Sequence, residues 1–585
     1  ESLLRKGAPP SPGGFPRPAP GTPGRPWRPV PFFQRIPDPA GGSRPRRALS
    51  DEERVRKAPC QGRIPALPLT PTASPPLLSV VVPVHGNLEA TRTCLAGLER
   101  QETAFPFEVI LVDSASGGET SSWLASLEGI RLVRLEENRG FPRAANAGAA
   151  AARGELILFL NNDTLLPSRT LQKMTDAWKG NPGAGALGPS ADRVKGDQRI
   201  PVEPLEGDPA KVEALAARLE RDYASKVEDV PLVMGLALLL PAGLWRELGG
   251  FDERFGLGNF EDDDLCLRIR ERGYRILIAR DAFVHHAGMA TFQAMGVDYA
   301  ALVKRNQALF LDKWKNHFVL AARLLLDEGR TAEALAAARQ ALLQGSRDPE
   351  LFHLLGTALY AENKPDEAVQ AFDRLLRVAP RHTAGAFLRA LALMDLDREK
   401  EARRAAASLL TNFYLADAAA ARLLSAFAEA CLGWGRPAEA KDHFGTALLL
   451  DPGCKDALTG LASIALEEGE REEARRLLEE AGPTPLALAM RGAMEWEEGK
   501  PGEALPFFRE ALRRDPLHPP SLSALFSLAG GMEELARSLE ELEELSPGEG
   551  FDRAARMVRE GALREAKTLL LSAKRKPYRV TPAGS

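Results

Sequence analysis

Cysteine is scarce in this chain: Cys60, Cys94, Cys266, Cys431 and Cys454 are spread over 585 residues, with no CxxC pair. That spacing supports neither a zinc site nor a disulfide framework, and it suits a reducing compartment. Long apolar runs are missing too. The best candidate, Val230 to Gly243, has 14 residues and contains Pro231 and Pro241. A spanning helix needs about 20 apolar residues, so this run reads as buried core. The first 30 residues are rich in Pro and Gly and hold no apolar stretch of the kind a secretory leader carries. A net charge of −4 provides no general attraction for nucleic acid. No Gly-x-x-x-x-Gly-Lys loop occurs, and no Gly-x-Gly-x-x-Gly follows a first strand, which argues against an NTPase or a dehydrogenase. No Ser/His/Asp or Cys/His set stands in useful context. The expectation is a cytoplasmic protein with no nucleic-acid partner and no transmembrane segment, peripheral contact with the inner face of the membrane being the one membrane role left open.

What is present falls into three regions. Residues 1–76 hold 19 of the 45 prolines and carry 13 Lys/Arg against 5 Asp/Glu. Proline at that density lacks donors for helices or ladders, and few large apolar side chains are available to bury. A disordered basic tail is expected there, serving as a solvated linker or as a docking arm for an acidic partner or membrane surface. Residues 77–317 alternate short apolar runs with helically spaced stretches. Leu78–Val84, Glu108–Asp113, Ile130–Leu135 and Glu155–Leu160 read as strands; Leu88–Gln101 and the Ala-rich Pro142–Arg153 read as helices. Such alternation predicts an α/β domain with a mostly parallel, Rossmann-like sheet. Ligands of such sheets bind beyond the carboxyl ends of the strands, where Asp113 and Asp163 both stand.

Residues 318–575 are rich in Ala, Leu, Glu and Arg, and residues 576–585 form a short tail. Ala334, Ala368 and Ala402 are spaced 34 apart, as are Ala440 and Ala474. Phe372, Phe444 and Phe508 each follow such an Ala, or Ala504, by four residues, and Pro380, Pro452 and Pro516 lie eight beyond. Gly356 and Gly492, with Ala428 and Ala462, occupy the small position of the first helix. This pattern resembles the tetratricopeptide repeat, a helix–turn–helix unit of about 34 residues. About six units and a degenerate C-terminal cap are expected, as an all-α solenoid whose surface takes a protein or peptide.

Two acidic motifs carry the chemistry. Leu160-Asn-Asn-Asp-Thr164 follows an apolar run, and Phe260-Glu-Asp-Asp-Asp264 precedes Leu265-Cys-Leu-Arg268. A strand-end carboxylate can hold a hard divalent cation on a diphosphate. A second carboxylate facing it can accept a proton from an incoming nucleophile. Each motif also has a plainer reading. Asn162-Asp163-Thr164 can be a turn that caps a following helix, and an acidic first turn suits a helix dipole. Four successive acids also repel one another, which favours a raised pKa in one of them.

Further segments join these two. Ser79-Val-Val-Val-Pro-Val-His-Gly86, Val112-Asp-Ser-Ala-Ser116, Asn138-Arg-Gly-Phe141 with Ala145-Asn-Ala-Gly148, Leu248-Gly-Gly-Phe-Asp-Glu-Arg-Phe255 and Val284-His-His286 stand in order around them. Together they resemble family 2 glycosyltransferases, the inverting, nucleotide-sugar-dependent class with a GT-A fold; His85 stands where Tyr is common. The resemblance implies Asp262 as general base, with Asp264 the competitor and Glu261, Asp263 and Asp264 on the acceptor side. It implies a nucleotide-sugar site at Pro83, Val84, Asp113, Arg139, Asn162 and Asp163. It implies a divalent metal, Mn²⁺ or Mg²⁺, on Asp163 and His285, with His286 the alternative ligand. Asn161 and Asn162 replace acids common in the family motif. Arg268 is read equally as a salt-bridge former and as a phosphate contact. The donor is expected to be UDP- or dTDP-linked. Flagellin-modifying and bacteriocin S-glycosyltransferases are similar in carrying helical repeats after the catalytic half, which points to a protein acceptor. A cell-surface polysaccharide or lipid-linked glycan transferase and an inactive scaffold are the other two readings.

Overall fold

The computed structural model describes residues 76–287, 297–546 and 550–572. Apart from Pro76, the tail expected over 1–76 lies outside them, as does the tail at 576–585. The N-terminal part begins with β1 (Leu78–Val84), α1 (Leu88–Glu99), β2 (Phe107–Ser114), α2 (Gly118–Ser126), β3 (Arg131–Leu135), α3 (Phe141–Ala151), β4 (Leu156–Leu160) and β5 (Thr164–Leu165). It continues through α4 (Thr170–Lys179), β6 (Ala184–Ala191), α5 (Pro209–Asp222), β7 (Val227–Val230), β8 (Ala237–Pro241), α6 (Ala242–Leu248), α7 (Glu261–Glu271), β9 (Arg275–His286) and α8 (Tyr299–Lys313).

The strand order is β3-β2-β1-β4-β8-β6-β9-β5, with β7 also on β9. The first four strands are parallel, as the alternating sequence predicts. Beyond β4 the sheet is mixed: β8 runs antiparallel to both β4 and β6, whereas β6 and β9 are parallel. Because β8 reverses direction, its first residue lies at the same sheet edge as the last residues of β1, β2, β4, β6 and β9. Both faces of the sheet are covered, so alternate residues of one strand feed two cores. Val80 and Val82 pack with Cys94 and Leu98 of α1. Val81, Ile157 and Phe159 pack with Ala144, Trp245, Leu265 and Ile269. The Phe159 ring centroid lies 4.5 Å from that of Trp245 and 5.1 Å from that of Phe251.

Gly140, at the start of α3, has φ 94°. A Cβ there would sit 2.0 Å from the carbonyl oxygen of Gly256, so the segment before α3 lies directly on the loop that precedes α7. Gly140→Ala combines a disfavoured backbone with a backbone clash. It is expected to lower stability by about 1–3 kcal/mol, read as a shifted urea midpoint at unchanged slope.

From Phe318 onward the described residues form eight helical hairpins, where the sequence predicts about six units and a degenerate C-terminal cap; the last two lack an aromatic four residues after the buried Ala536 and Ala566. Ala334, Ala368, Ala402, Ala440, Ala474 and Ala504 are all fully buried. A Cβ on Gly356 would meet the Phe372 ring at 2.6 Å, and one on Gly460 the Phe444 ring at 2.1 Å. The aromatic of a second helix therefore fills the space left by a missing side chain on a first helix, that of its own hairpin at Gly356 and that of the next hairpin at Gly460.

Two compact units divide the described residues: one runs to Ala386 and includes Asn412–Tyr414, and the other comprises Phe387–Thr411 and the residues from Leu415 on. The first unit thus includes the first two hairpins as well as the sheet. Within it, Asp229 of β7 pairs with Arg275 at 2.9 Å and accepts the Arg381 backbone N–H at 2.7 Å. Arg270 reaches Asp348 at 3.4 Å, and the Arg280 guanidinium lies 4.1 Å from the Tyr414 ring centroid.

Candidate active site

Val84, Ser114, Leu160, Ala191 and His286 end parallel strands at one sheet edge, with Asp113 one residue before the end of β2, and Gly235 and Leu236 approach that edge just ahead of β8. Asn161 donates its backbone N–H to the Leu236 carbonyl at 2.9 Å, which ties the first acidic motif to the start of β8. The next residue back, Gly235, donates its N–H to Asp262 Oδ2 at 2.9 Å. Two consecutive residues therefore hold both acidic motifs.

Asp163 is buried, and short strand β5 pairs Thr164 with His286. That register brings His286 Nε2 within 3.3 Å of Asp163 Oδ1. Successive strand side chains point to opposite faces, so His285 turns instead to Asp192, with Nδ1 2.7 Å from Oδ2. The metal pair read from the sequence was Asp163 with His285; in the structure the alternative, His286, faces Asp163. His286 Nδ1 lies 2.9 Å from the Arg193 carbonyl, which can only accept. The hydrogen is therefore on Nδ1, and in the neutral ring Nε2 offers a lone pair toward Asp163. Burial pulls the His286 pKa down, but the hydrogen bond and charge of Asp163 raise it overall. A buried carboxylate beside an imidazole nitrogen of this tautomer is a donor set that fits a divalent cation.

The acidic motif divides by role. Asp264, fully buried, contacts Lys313 at 2.6 Å, Arg268 at 2.8 Å and the Trp314 indole N–H at 3.0 Å. Both of its oxygens are engaged by these three groups, and Arg268 is committed to it and to the Leu248 carbonyl. Asp262 is buried, accepts the backbone N–H groups of Gly235 and Asp263, and shares a hydrogen bond with the Asp263 carboxyl. Burial raises its pKa against the pull of those donors. Glu261 and Asp263 are pushed well above the usual range, first by burial and then by the Asp262 charge. Glu261 Oε2 is buried and has no hydrogen-bond partner.

Other sequence candidates are engaged locally. Asp113 accepts from the Ser116 N–H at 2.9 Å and the Ser121 hydroxyl at 3.3 Å, which closes the turn after β2. Asn162 donates to Thr91 Oγ1 at 2.9 Å. Arg139 is exposed and pairs with Glu137. Pro83 and Val84 sit opposite Val112 and Asp113 in the β1–β2 register. Sequence reasoning missed Asp192 and Gly235, and also Tyr299, Asn306 and Lys313 on α8. An Asn placed one turn before the apolar Phe310 in a helix was the available signal for Asn306.

Two other side-chain clusters have metal-like composition. In Glu350, His353 and His382, Arg323 already pairs with Glu350. His382 Nδ1 accepts the Gly385 N–H at 3.0 Å, so its Nε2 carries a hydrogen and donates to Glu350. That nitrogen has no lone pair for a cation. In Cys431, Glu439 and His443, Arg403 occupies Glu439, and burial pushes the thiol up to about 11. Neither set fits a cation.

Residues 79–220 match the family model described as glycosyl transferase family 2, and residues 325–393 and 432–484 match a tetratricopeptide repeat model. O-antigen biosynthesis protein RfbC of Myxococcus xanthus is 30% identical over 236 residues, 37% of this chain and 18% of that protein. Validoxylamine A glucosyltransferase of Streptomyces hygroscopicus subsp. jinggangensis is 24% identical over 242 residues, 36% of this chain and 56% of that protein. A mannosyltransferase of Pyrobaculum calidifontis, solved with GDP-Man and Mn²⁺, superposes with a TM-score of 0.29 at 20% identity, covering 58% of this chain and 88% of that one. The chain spans less than a third of the length of the first curated relatives it matches. Residues 79–220 belong to a glycosyl transferase family 2 domain, carried in one chain with a C-terminal run of tetratricopeptide repeats.

Proposed function

We propose that this domain transfers a glycosyl group from a UDP- or dTDP-linked sugar to an acceptor, with inversion at the anomeric carbon. Asp262 takes the proton of the acceptor nucleophile. The nucleophile forms its bond to the anomeric carbon on the face opposite the diphosphate. The bond from that carbon to the diphosphate oxygen breaks, and its electron pair leaves with the nucleotide. Asp163 and His286 would hold a divalent cation, which when bound neutralises charge on the diphosphate; the imidazole donor favours Mn²⁺ over Mg²⁺. The observation that carries the reading is the tie described above: Asp262 on the Gly235 N–H, and Asn161, two residues from Asp163, on the Leu236 carbonyl.

Calorimetric titration with UDP, with and without Mn²⁺, tests the cation site. Asp163→Ala is expected to abolish the Mn²⁺-dependent part of UDP binding. His286→Ala is expected to weaken it more than His285→Ala does. Equal UDP binding with and without Mn²⁺ in the unaltered chain would remove the metal from the reading, and no UDP binding at all would favour an inactive scaffold.

The acceptor proposed is a protein side chain held by the repeats, because a peptide-binding type of array follows the transferase domain in the same chain. A glycan acceptor is the second reading, favoured by the relative named for O-antigen biosynthesis. Among the described residues no helix is long and apolar enough to cross a membrane. Incubation with labelled UDP- and dTDP-sugars and host lysate separates the two readings: label in polypeptide supports the first, and label confined to lipid or glycan overturns it.

A further inference from the structure

We infer that Asn306 and Tyr299 of α8 are positioning residues for the proposed base, acting by fixing the loop that delivers Asp262. The inference rests on the glycosyl-transfer reading above and names a device within the same site. The loop takes an unusual path. Gly256, Gly258, Asn259 and Phe260 all have positive φ, at 60°, 125°, 75° and 72°. Left-handed backbone is disfavoured for residues with a Cβ, and for a bulky one such as Phe260 it persists only where the surroundings impose it.

Asn306 is fully buried. Its Nδ2 lies 2.7 Å from the Phe255 carbonyl, 2.8 Å from that of Gly258 and 3.2 Å from that of Asn259. All three partners are acceptors, so the amide orientation is fixed by chemistry. Its Oδ1 accepts from Arg305 at 2.8 Å. Two turns earlier on the same helix, the Tyr299 hydroxyl donates to Asn259 Oδ1 at 2.8 Å. One helix therefore holds the loop through backbone and side chain, and Phe260 then leads directly into Glu261 and Asp262. A buried amide whose two N–H groups serve three carbonyls of one turn determines where the next residues point. α8 lies beyond the residues matched by the family model.

The test combines kinetics with amide hydrogen exchange on the full chain. Asn306→Ala and Asn306→Asp are made, the second placing an acceptor against the three carbonyls, together with Tyr299→Phe, which removes a single hydroxyl. Turnover is read as UDP or dTDP release from UDP-glucose, UDP-galactose, UDP-N-acetylglucosamine and dTDP-glucose, and binding as calorimetric titration of UDP with Mn²⁺. Expected for both Asn306 variants are faster exchange over residues 255–261 and a fall in kcat of about 10-fold or more, with UDP affinity unchanged, as for loss of an interaction made in the transition state. Tyr299→Phe should show the same pattern at smaller amplitude, and it decides the matter if the Asn306 variants do not fold. Unchanged exchange overturns the inference. So does unchanged kcat, or a parallel loss of UDP affinity. If the unaltered chain releases no nucleoside diphosphate from any UDP- or dTDP-linked donor, the glycosyl-transfer reading falls, and exchange alone then decides whether α8 fixes the loop.

Discussion

Asp262→Asn should lower turnover about 10²–10⁴-fold, the range for removing a general base, or roughly 3–5 kcal/mol of barrier. UDP binding with Mn²⁺ should persist, because the proposed reaction puts the base on the acceptor side of the reacting carbon. The fold should persist as well. Asparagine can still accept one of the two backbone N–H groups that Asp262 takes from Gly235 and Asp263. Losing the other costs about 1 kcal/mol, and removing a buried charge offsets it. The sign follows from the raised pKa of Asp262. A carboxyl that holds its proton more tightly when folded contributes stability below its unfolded pKa and loses it as pH rises through the folded value. At neutral pH the ionised side chain therefore costs stability, and its removal should be close to neutral in a urea titration. In the unaltered chain kcat/KM should rise with pH along a limb displaced above the ordinary carboxylate range, since the base works only when ionised. Near-normal turnover by Asp262→Asn would remove it from the reaction.

Asp264→Asn should behave in the opposite way, although it lies two residues away on the same helix. It is the buried counter-charge of Arg268 and Lys313 and also accepts from Trp314. Breaking a buried ion pair from one side costs about 3–5 kcal/mol, because the remaining charge is left without a partner. The lower end applies here: Lys313 keeps Asp252 at 2.8 Å and Arg268 keeps the Leu248 carbonyl. The expected result is a marked fall in the urea midpoint with UDP binding retained in the folded fraction. A stability equal to that of the unaltered chain, with turnover lost, would exchange the roles of the two aspartates.

The contrast between these residues marks what was legible in the sequence. The acidic motif and Asp163 could be found because each sits in a short segment whose neighbours fix its secondary structure. Which acid of the motif is free for chemistry could not, because that depends on Lys313 and Trp314, fifty residues further along. Choosing between His285 and His286 required the β5–β9 register, and β5 is two residues long with no periodicity to detect. The parallel half of the sheet was visible as apolar runs between helices. The reversal at β8 was not, since a buried antiparallel strand reads as the same kind of apolar run. Arg139 and Asn162 were carried by motif resemblance, and their side chains are held by Glu137 and Thr91. The repeats were legible because Ala recurs at fixed spacing, with Phe and Pro beside it in three of them, and the last two hairpins read only as a degenerate cap because Glu540 and Leu570 stand where the aromatic would be.

The first two hairpins share a compact unit with the sheet, and this bears on any exchange of arrays between such chains. A chimera joined before Phe318 would discard the partners of Asp229 and Arg270 and replace them with side chains chosen for another surface. It would also discard the Phe413 carbonyl that receives Lys226 and the Tyr414 ring beneath Arg280. A junction after Tyr414, where the chain passes between helices, keeps all of these partners, and it carries Phe387–Thr411 of the second compact unit along with them. Repeats exchanged at that point would leave the sheet domain with its own supports.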